Sequence, residues 1–519
     1  MGARLFRIVV FLALILSAKG VTAATVHYIS KSLGSDTNAG TSKSAPWAHL
    51  PGMPSCTGNC ASYTPAPGDS FILYGGDTWV ASDLGVTWTW GGTSSGCVQP
   101  YGTGATSTCI YIGVDQTWYN STVCGASFCR PVWDCQSSEC TSGHNNQLNI
   151  YMRTAGEGYI TIDNIEMKGY QESSPTTVVN LFGNNIEVEN CYFHGWSHTS
   201  AYTSEASLIT YNSSSGNARI TGGLFHNNVV DGQDTSQDMF RGLYNGDQVY
   251  DNVFRYTVAE IDGQFNSVYG NLVEYEVTAY TGLHCDLVFI YSPLSGNNWY
   301  AYNNVVRNPV CGGSGLWVAG QSSSTEVAYI FNNVVYNISN AWGALSTGNH
   351  ASYGNTGTYY VYNNTIDTGG GAGGYCTGNG ESGSISTVYY SNNHCIATTG
   401  VCDAVGATCT NNGTNLSQTE AQANAQGYTA NQTYAYSPIN SSGSTVGAGT
   451  DYTSFCATAG TALCSDVSYA SYDATNHTVV MRTVTPRPST GAWDIGAYQF
   501  ASSQTDAPQP PLDVQATVQ

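Results

Sequence analysis

Charge is scarce in this chain and strongly one-sided. Only 9% of its 519 residues are Asp, Glu, Lys or Arg, with fourteen basic against thirty-five acidic side chains and a formal net charge of −21. There are four lysines, Lys19, Lys31, Lys43 and Lys168. No basic stripe is left to neutralise phosphates, which excludes nucleic-acid binding, and an anionic membrane surface would repel the chain. No two cysteines have the Cys-x-x-Cys spacing of a paired zinc site. After the first residues no apolar run is long enough to cross a bilayer, so no membrane insertion is expected.

What is present begins with an export signal. Residues 1–23 carry Arg4 and Arg7, an apolar run from Ile8 to Leu16, and small residues near Ala23. This pattern reads as a secretory signal peptide cleaved near Ala23, giving a secreted, extracellular protein. Cysteine usage fits that compartment: all seventeen lie after the signal, many as close pairs. We expect local disulfides for Cys56 with Cys60, Cys97 with Cys109, Cys124 with Cys129, Cys135 with Cys140, Cys402 with Cys409 and Cys456 with Cys464. Cys285 with Cys311 and Cys376 with Cys395 would bridge neighbouring coils, leaving Cys191 as a free, buried thiol.

One phrase recurs along the middle of the chain, an alternating strand ending in Asn followed by an apolar pair. It reads IEVENCYF at 186–193, QVYDNVF at 248–254, SVYGNLV at 267–273, YAYNNVV at 300–306, YIFNNVV at 329–335, YVYNNTI at 360–366 and VYYSNNH at 388–394, with a weaker copy, ITGGLF, near Gly223. Steps of 19 to 33 residues between Asn252, Asn271 and Asn304 are too irregular for propeller blades and too β-rich for helical repeats, leaving a β-solenoid whose coils carry insertions. A lone coil cannot bury its apolar face, whereas stacked coils bury it against one another. Asn190, Asn252, Asn271, Asn304, Asn333, Asn364 and Asn393 then read as a structural ladder: Asn tolerates left-handed backbone angles and can bond to its counterpart one coil away.

The two ends of the chain carry a family resemblance. ATVHYISKSLGSDTNAGTSKSAPWAHL at 24–50, PGDSFILYGGDTW at 67–79, AYSPINSSGSTVGAGT at 435–450 and RPSTGAWDIGAYQF at 487–500 resemble the opening and closing segments of secreted right-handed parallel β-helix proteins of the pectate lyase-like, polysaccharide-active superfamily. The resemblance implies an all-β, right-handed parallel β-helix over 24–500, with an N-terminal cap and first coils at 24–150, regular coils at 151–400 and C-terminal coils and cap at 401–500. A Pro-rich tail follows at 501–519. It also implies a polysaccharide partner and a lyase, hydrolase or epimerase activity, or binding without catalysis. We expect a monomer.

The candidate site is drawn from three coils between 236 and 291. Alternation in AEIDGQ puts Glu260, Asp262 and Gln264 on one side, with the two carboxylate-bearing Cα atoms about 6 to 7 Å apart, and burying all three would be costly. They are expected to face outward, joined by Asp238, Arg241, His284, Asp286 and Tyr291 from adjacent coils. In a lyase, Glu260, Asp262 and Asp286 would hold Ca²⁺ against a uronate carboxylate while Arg241 or His284 takes the proton. In a glycoside hydrolase, Glu260 with Asp262 or Asp286 would be the acid and the base or nucleophile. Asp238, Gln264 and Tyr291 would contact sugar. His194 and His226 read as turn residues, and Trp88, Trp90 and Trp133 as packing of the cap. The alternative is a non-catalytic carbohydrate-binding surface or adhesion protein of the same fold.

Overall fold

A computed structural model of the chain describes residues 25–84, 87–88, 90–93, 108–138, 151–152, 158–172, 179–198, 206–212, 221–233, 240–275, 286–291, 298–309, 314–319, 327–338, 344–348, 357–369, 375–379, 387–397, 400–402, 409–411 and 414–501. The signal and tail expectations, and Trp88, Cys97, Cys140, Asp238, His284, Cys285 and Cys311, concern side chains outside the described residues, as do those of Arg241, Cys402 and Cys409.

The repeat folds as a parallel β-helix. One coil runs Gln248–Tyr250, Val253–Arg255, Ala259–Gly263, and the next begins at Ser267–Tyr269 directly beside the first. Among the described residues, stacking such coils makes three long sheets: a first of thirteen strands from Val26–Ile29 to Cys409–Asn411, a second of twelve from Thr78–Val80 to Leu416–Gln418 with Ser197–His198 added beside Glu166–Glu172, and a third of nine from Val179–Phe182 to Gly400–Cys402. The period-2 pattern sets the faces. In the first sheet Ile162, Val188, Phe225, Val249, Val268 and Ala301 align through the stack and fill the core. The intervening residues form outward rows, and one of these carries the site. At the N-terminal end Trp47, Trp79 and Trp133 are buried and close the core, as expected for Trp133. None of the described helices is long and apolar enough to cross a membrane.

The asparagine ladder is real but divides its work between two adjacent positions. Asn228, Asn252, Asn271, Asn304, Asn333, Asn364 and Asn393 are fully buried, and each donates its side-chain amide to the Oδ1 of the next, ending on Asn415, over 3.0 to 3.2 Å. The preceding residue, not the ladder residue, takes the left-handed backbone: Asn190, Asn227, Asp251, Asn303, Asn332, Asn363 and Asn392 have φ between 53° and 58°. Asn190 is therefore a corner residue. Cys191 holds its coil's ladder position and donates its backbone N–H to Asn228 Oδ1 at 2.9 Å. The rung missing near Gly223 is supplied by LFHNNVVD at 224–231. Asn304→Ala would remove the side-chain partner of the Val268 carbonyl and of the Asn271 backbone N–H, and one of the bonds made by each of the Asn271 and Asn333 side chains. At about 1–3 kcal/mol for each buried group left unpartnered, denaturant titration should show a clear loss of stability.

Disulfides join Cys56 to Cys60, Cys124 to Cys129, Cys376 to Cys395 and Cys456 to Cys464, and Cys109 and Cys135 are also disulfide-bonded. Among the described residues Cys191 is the free cysteine; it is fully buried, and burial raises its thiol to about 12. Alkylation without reduction should leave Cys191 unlabelled in the native protein and label it after unfolding. Labelling of the native protein at Cys191 would contradict this packing.

After the last coil the chain doubles back along the corner between the first and second sheets. Asn392 donates to the Thr450 carbonyl, Asn363 to Asp494 and Gly496, and Asn332 to Ala462 and Ser465; the Ala470 N–H then reaches the Gly270 carbonyl at 2.7 Å. The segment ends in an antiparallel hairpin, Ala470–Asp473 with Thr478–Met481. Beneath it, the second sheet aligns His194, Asp231, Arg255, Glu274 and Arg307 in one row. Glu274 is 1% exposed and lies 3.5 Å from Arg255 and 2.5 Å from Arg307. Opposite charges alternate under the cap.

Candidate functional site

The third-sheet cluster does not form the open carboxylate groove expected of it. Glu260 is fully buried, accepts hydrogen bonds from the Thr257 hydroxyl and backbone N–H, and is pushed by burial up to about 8, so it is largely an uncharged acid at neutral pH. Asp262 and Asp286 are also buried. Register separates them: Asp262 pairs with Phe289, whereas Asp286 precedes that strand and accepts from the Ser314 N–H at 2.5 Å. Among the described residues, Glu260, Asp262 and Asp286 do not bring their oxygens together as a ligand set, and Asp238 and the side chains of Arg241 and His284 lie outside those residues. For the burial of Asp262 the physical reason is that the outer face of this sheet is itself packed. Phe289 lies 4.6 Å from Trp317 with neither reaching solvent freely, and the Tyr291 hydroxyl meets that of Tyr244 at 3.0 Å. Gln264 is half-buried, its N–H held by Asn245 Oδ1.

A different group converges on the outer face of the first sheet. Strand Ile186–Glu189 turns Ile186 and Val188 inward, so Glu187 and Glu189 share the outer face; Asp163 lies beside Glu189 on one neighbouring strand and His226 on the other. His226 Nε2 is 2.9 Å from Glu187 Oε1 and 3.9 Å from Glu189 Oε2, and its Nδ1 is 2.8 Å from Asn227 Oδ1. One ligand-type atom from each of Glu187, Glu189 and His226 lies within 4.8 Å of the others. The glutamate side chains are 21% and 26% exposed, so a ligand can reach them. Thr161 donates to Glu187 Oε2 at 3.0 Å. Asp163 is held from both sides, by the Tyr111 hydroxyl at 2.5 Å and the Asn190 amide at 2.8 Å. Tyr111 reaches it by lying over Gly113, where a Cβ would stand 2.4 Å from the tyrosine oxygen.

These environments push the two glutamates apart. The hydrogen bond from His226 holds Glu187 below the usual glutamate range, whereas burial, with the Asp163 charge beside it, raises Glu189 to about 7. Burial also raises Asp163, and it raises Asp251 to about 6. For His226, burial opposes the charge, but the bonds to Glu187 and Asn227 and the nearby Glu189 outweigh it and raise its pKa. The result is one ionised and one proton-holding carboxyl side by side, the division of labour that acid–base chemistry requires.

A stability consequence follows. A carboxyl whose pKa is higher folded than unfolded stabilises the fold at low pH, and that contribution disappears as pH rises through the folded value. His27 and His394, lowered by burial to about 4, act in the opposite direction, but their effect is complete above the ordinary histidine value of 6.5. The melting temperature should therefore fall between about pH 6.5 and 8 as Glu189 and Glu260 ionise. A flat profile in Glu260→Gln would assign the decline to that residue.

Around the corner from the acid pair lies a cleft of about 470 Å³, lined among others by Arg130, Glu166, Asn190, Asn227, Thr475 and His477. Asn190 and Asn227 link the two places, lining the cleft while touching Asp163 and His226. The hairpin tip forms the far wall. Arg130 donates to the carbonyls of Asn190 and Asn476, and His477 stacks on Tyr192, which stacks on His194. Neither His194 nor His226 is merely a turn residue, since each ends a strand and pairs with a glutamate, Glu166 or Glu187. Beyond His226 the outer row continues as a stack, Tyr250, Tyr269, Tyr302 and Phe331, with ring centroids 4.5 to 4.8 Å apart. These rings face one another and so do not offer open faces for sugar stacking.

The signal for this site was in the sequence. The alternation in IEVENCYF leaves both glutamates outside, and LFHNN, recognised as a full repeat, places His226 one coil away. No family model and no curated protein matches the chain. Among solved structures it is similar to a GH136 lacto-N-biosidase from Eubacterium ramulus at 12% identity, over 76% of this chain and 68% of that one, with a TM-score of 0.43. It is also similar to pectate lyase Pel9A at 15% identity, over 92% of this chain and 97% of that one, with a TM-score of 0.41. A rhamnogalacturonan lyase is similar at 12% identity, over 77% and 88% of the two chains, with a TM-score of 0.35.

Proposed function

We propose that this chain is an exported enzyme that hydrolyses an extracellular polysaccharide with Glu189 as general acid and Glu187 as nucleophile or base. The observation that carries the reading is the pairing of Glu187 and Glu189 beside His226, with one glutamate ionised and the other holding its proton near neutrality. Glu189 would protonate the glycosidic oxygen as the bond breaks. Glu187, kept anionic by His226 and Thr161, would meet the positive charge developing on the sugar. Carboxyl oxygens within 4.8 Å of each other suit a nucleophile, because an attacking water placed between two carboxyl groups needs a wider gap of about 6.5–9.5 Å.

The same three residues support a second reading, a divalent-cation site serving a lyase. Two carboxylates and an imidazole suit a transition metal better than Ca²⁺, which prefers an all-oxygen shell. Digestion of a polysaccharide panel, read for both reducing ends and unsaturated ends, separates these readings. New saturated reducing ends, insensitive to chelator, support hydrolysis. Unsaturated ends lost on chelation support the lyase, and tight binding with no product supports an adhesion protein. Export is tested by the N-terminus of the secreted protein, expected just after Ala23.

A further inference from the structure

The corner between the first and second sheets carries a column of polar side chains, and its two ends are used differently. At Asn332, Asn363 and Asn392 the side-chain amides donate to backbone carbonyls of the returning C-terminal segment, holding an extended chain along the outside of the helix. At the other end the equivalent residues Asn190 and Asn227 line the cleft under the hairpin tip, each with one bond already made, to Asp163 and His226, and each with amide bonding capacity left over. Side chains that hold an extended peptide by its carbonyls are equally able to hold an extended chain of hydroxyls and ring oxygens, and a cleft of about 470 Å³ lies within the usual ligand-site range of about 300–1,000 Å³.

We propose that this open end of the column is a binding subsite for an uncharged stretch of glycan, running from the cleft onto the Glu187–Glu189 pair, with the hairpin tip as its outer wall. The preference for uncharged sugar follows from the charges present. Glu166 is held ionised by His194, Glu187 is ionised, and Asp163 and Asp251 stand beside Glu189 and His226. Against them stand Arg130, already engaged by the Asn190 and Asn476 carbonyls, Lys168, 3.4 Å from Glu166, and His226, 2.9 Å from Glu187, while burial lowers the pKa of His477. Each of these cations already has an acid or a carbonyl as its partner, so a uronate carboxylate would come beside Glu166, Glu187 and Glu189 without a cation of its own. This subsite deepens the hydrolase reading by naming its substrate class, but the binding it describes does not need catalysis to occur.

The test is calorimetric titration of the full-length protein with neutral gluco-, galacto-, xylo- and manno-oligosaccharides and with polygalacturonate and alginate, without added divalent cation. Binding is expected with at least one neutral series and not with the uronate polymers. Thr475→Trp, on the exposed hairpin tip, should fill the cleft and weaken that binding by about tenfold, the loss of one or two hydrogen bonds, with an unchanged melting temperature. Glu187→Gln should retain binding. Uronate binding as strong as neutral binding, or full affinity in a folded Thr475→Trp variant, would overturn the subsite. Loss of turnover in Glu187→Gln alongside unaffected Thr475→Trp binding would sink the subsite and leave the hydrolase reading standing. Lost Thr475→Trp binding in a protein with no turnover on any glycan would do the reverse.

Discussion

Glu189→Gln should lower turnover by roughly 100- to 10,000-fold, the range for removing a positioned general acid, while the protein remains folded. The side chain is partly exposed at the sheet surface, so the amide fits the same space and the effect should fall on kcat more than on KM. The pH profile makes the assignment specific. Activity requires Glu189 protonated and Glu187 ionised, so the wild-type rate should decline as pH rises through about 7, and should decline on the acid side only below the usual glutamate range, where Glu187 gains its proton. Asp163→Asn removes the neighbouring negative charge and should move the alkaline limb to lower pH. An alkaline limb that stays in place in that variant would remove Asp163 from the account.

Glu274→Ala should be the most destabilising single change on the second sheet. Its carboxylate stands between Arg255 and Arg307 at 3.5 and 2.5 Å, beneath the C-terminal cap. Arg307 also donates to the Tyr336 hydroxyl at 2.8 Å, and Arg255 lies over the rings of Tyr256, Tyr275 and Tyr472. Removing the anion leaves buried Arg255 with Asp231, 4.0 Å away, beside a partly exposed Arg307, for which about 3 kcal/mol of lost stability, the low end for a broken buried pair, is expected. Denaturant titration measures it directly. Glu274→Gln should be costly as well, because the amide restores a hydrogen-bond acceptor and not the charge. If both variants unfold at wild-type denaturant concentrations, the row of alternating charges contributes nothing net.

The fold was legible because its determinants are local and repeated. Alternation in phrases such as SVYGNLV fixes which residues enter the core, and the recurring Asn fixes where each coil turns. The ladder's register was misjudged by one position only at IEVENCYF, where Cys191 replaces the amide and Asn190 resembles it by identity alone. The site was harder to read, since alternation tells inside from outside but not which outside faces stay open. Asp262 obeys the pattern and is nevertheless buried, because the outer face of the third sheet is packed around Phe289 and Trp317, whereas Glu260 is buried at the corner against Thr257. Glu187 and Glu189 obey the same pattern on a face that keeps access to solvent. The part played by the hairpin tip could not be foreseen, because Thr475 and His477 reach the cleft from nearly 250 residues beyond Asn227.

The central claim, that Glu187 and Glu189 hydrolyse a glycosidic bond, is tested most directly by digesting the polysaccharide that the panel identifies as substrate, neutral or uronate, in water enriched in heavy oxygen and weighing the products. Hydrolysis should place the heavy isotope at the new reducing end, with no unsaturated sugar formed, and Glu189→Gln should abolish the signal. Unlabelled products with unsaturated ends, or labelled products still formed at the wild-type rate by Glu189→Gln, would contradict it.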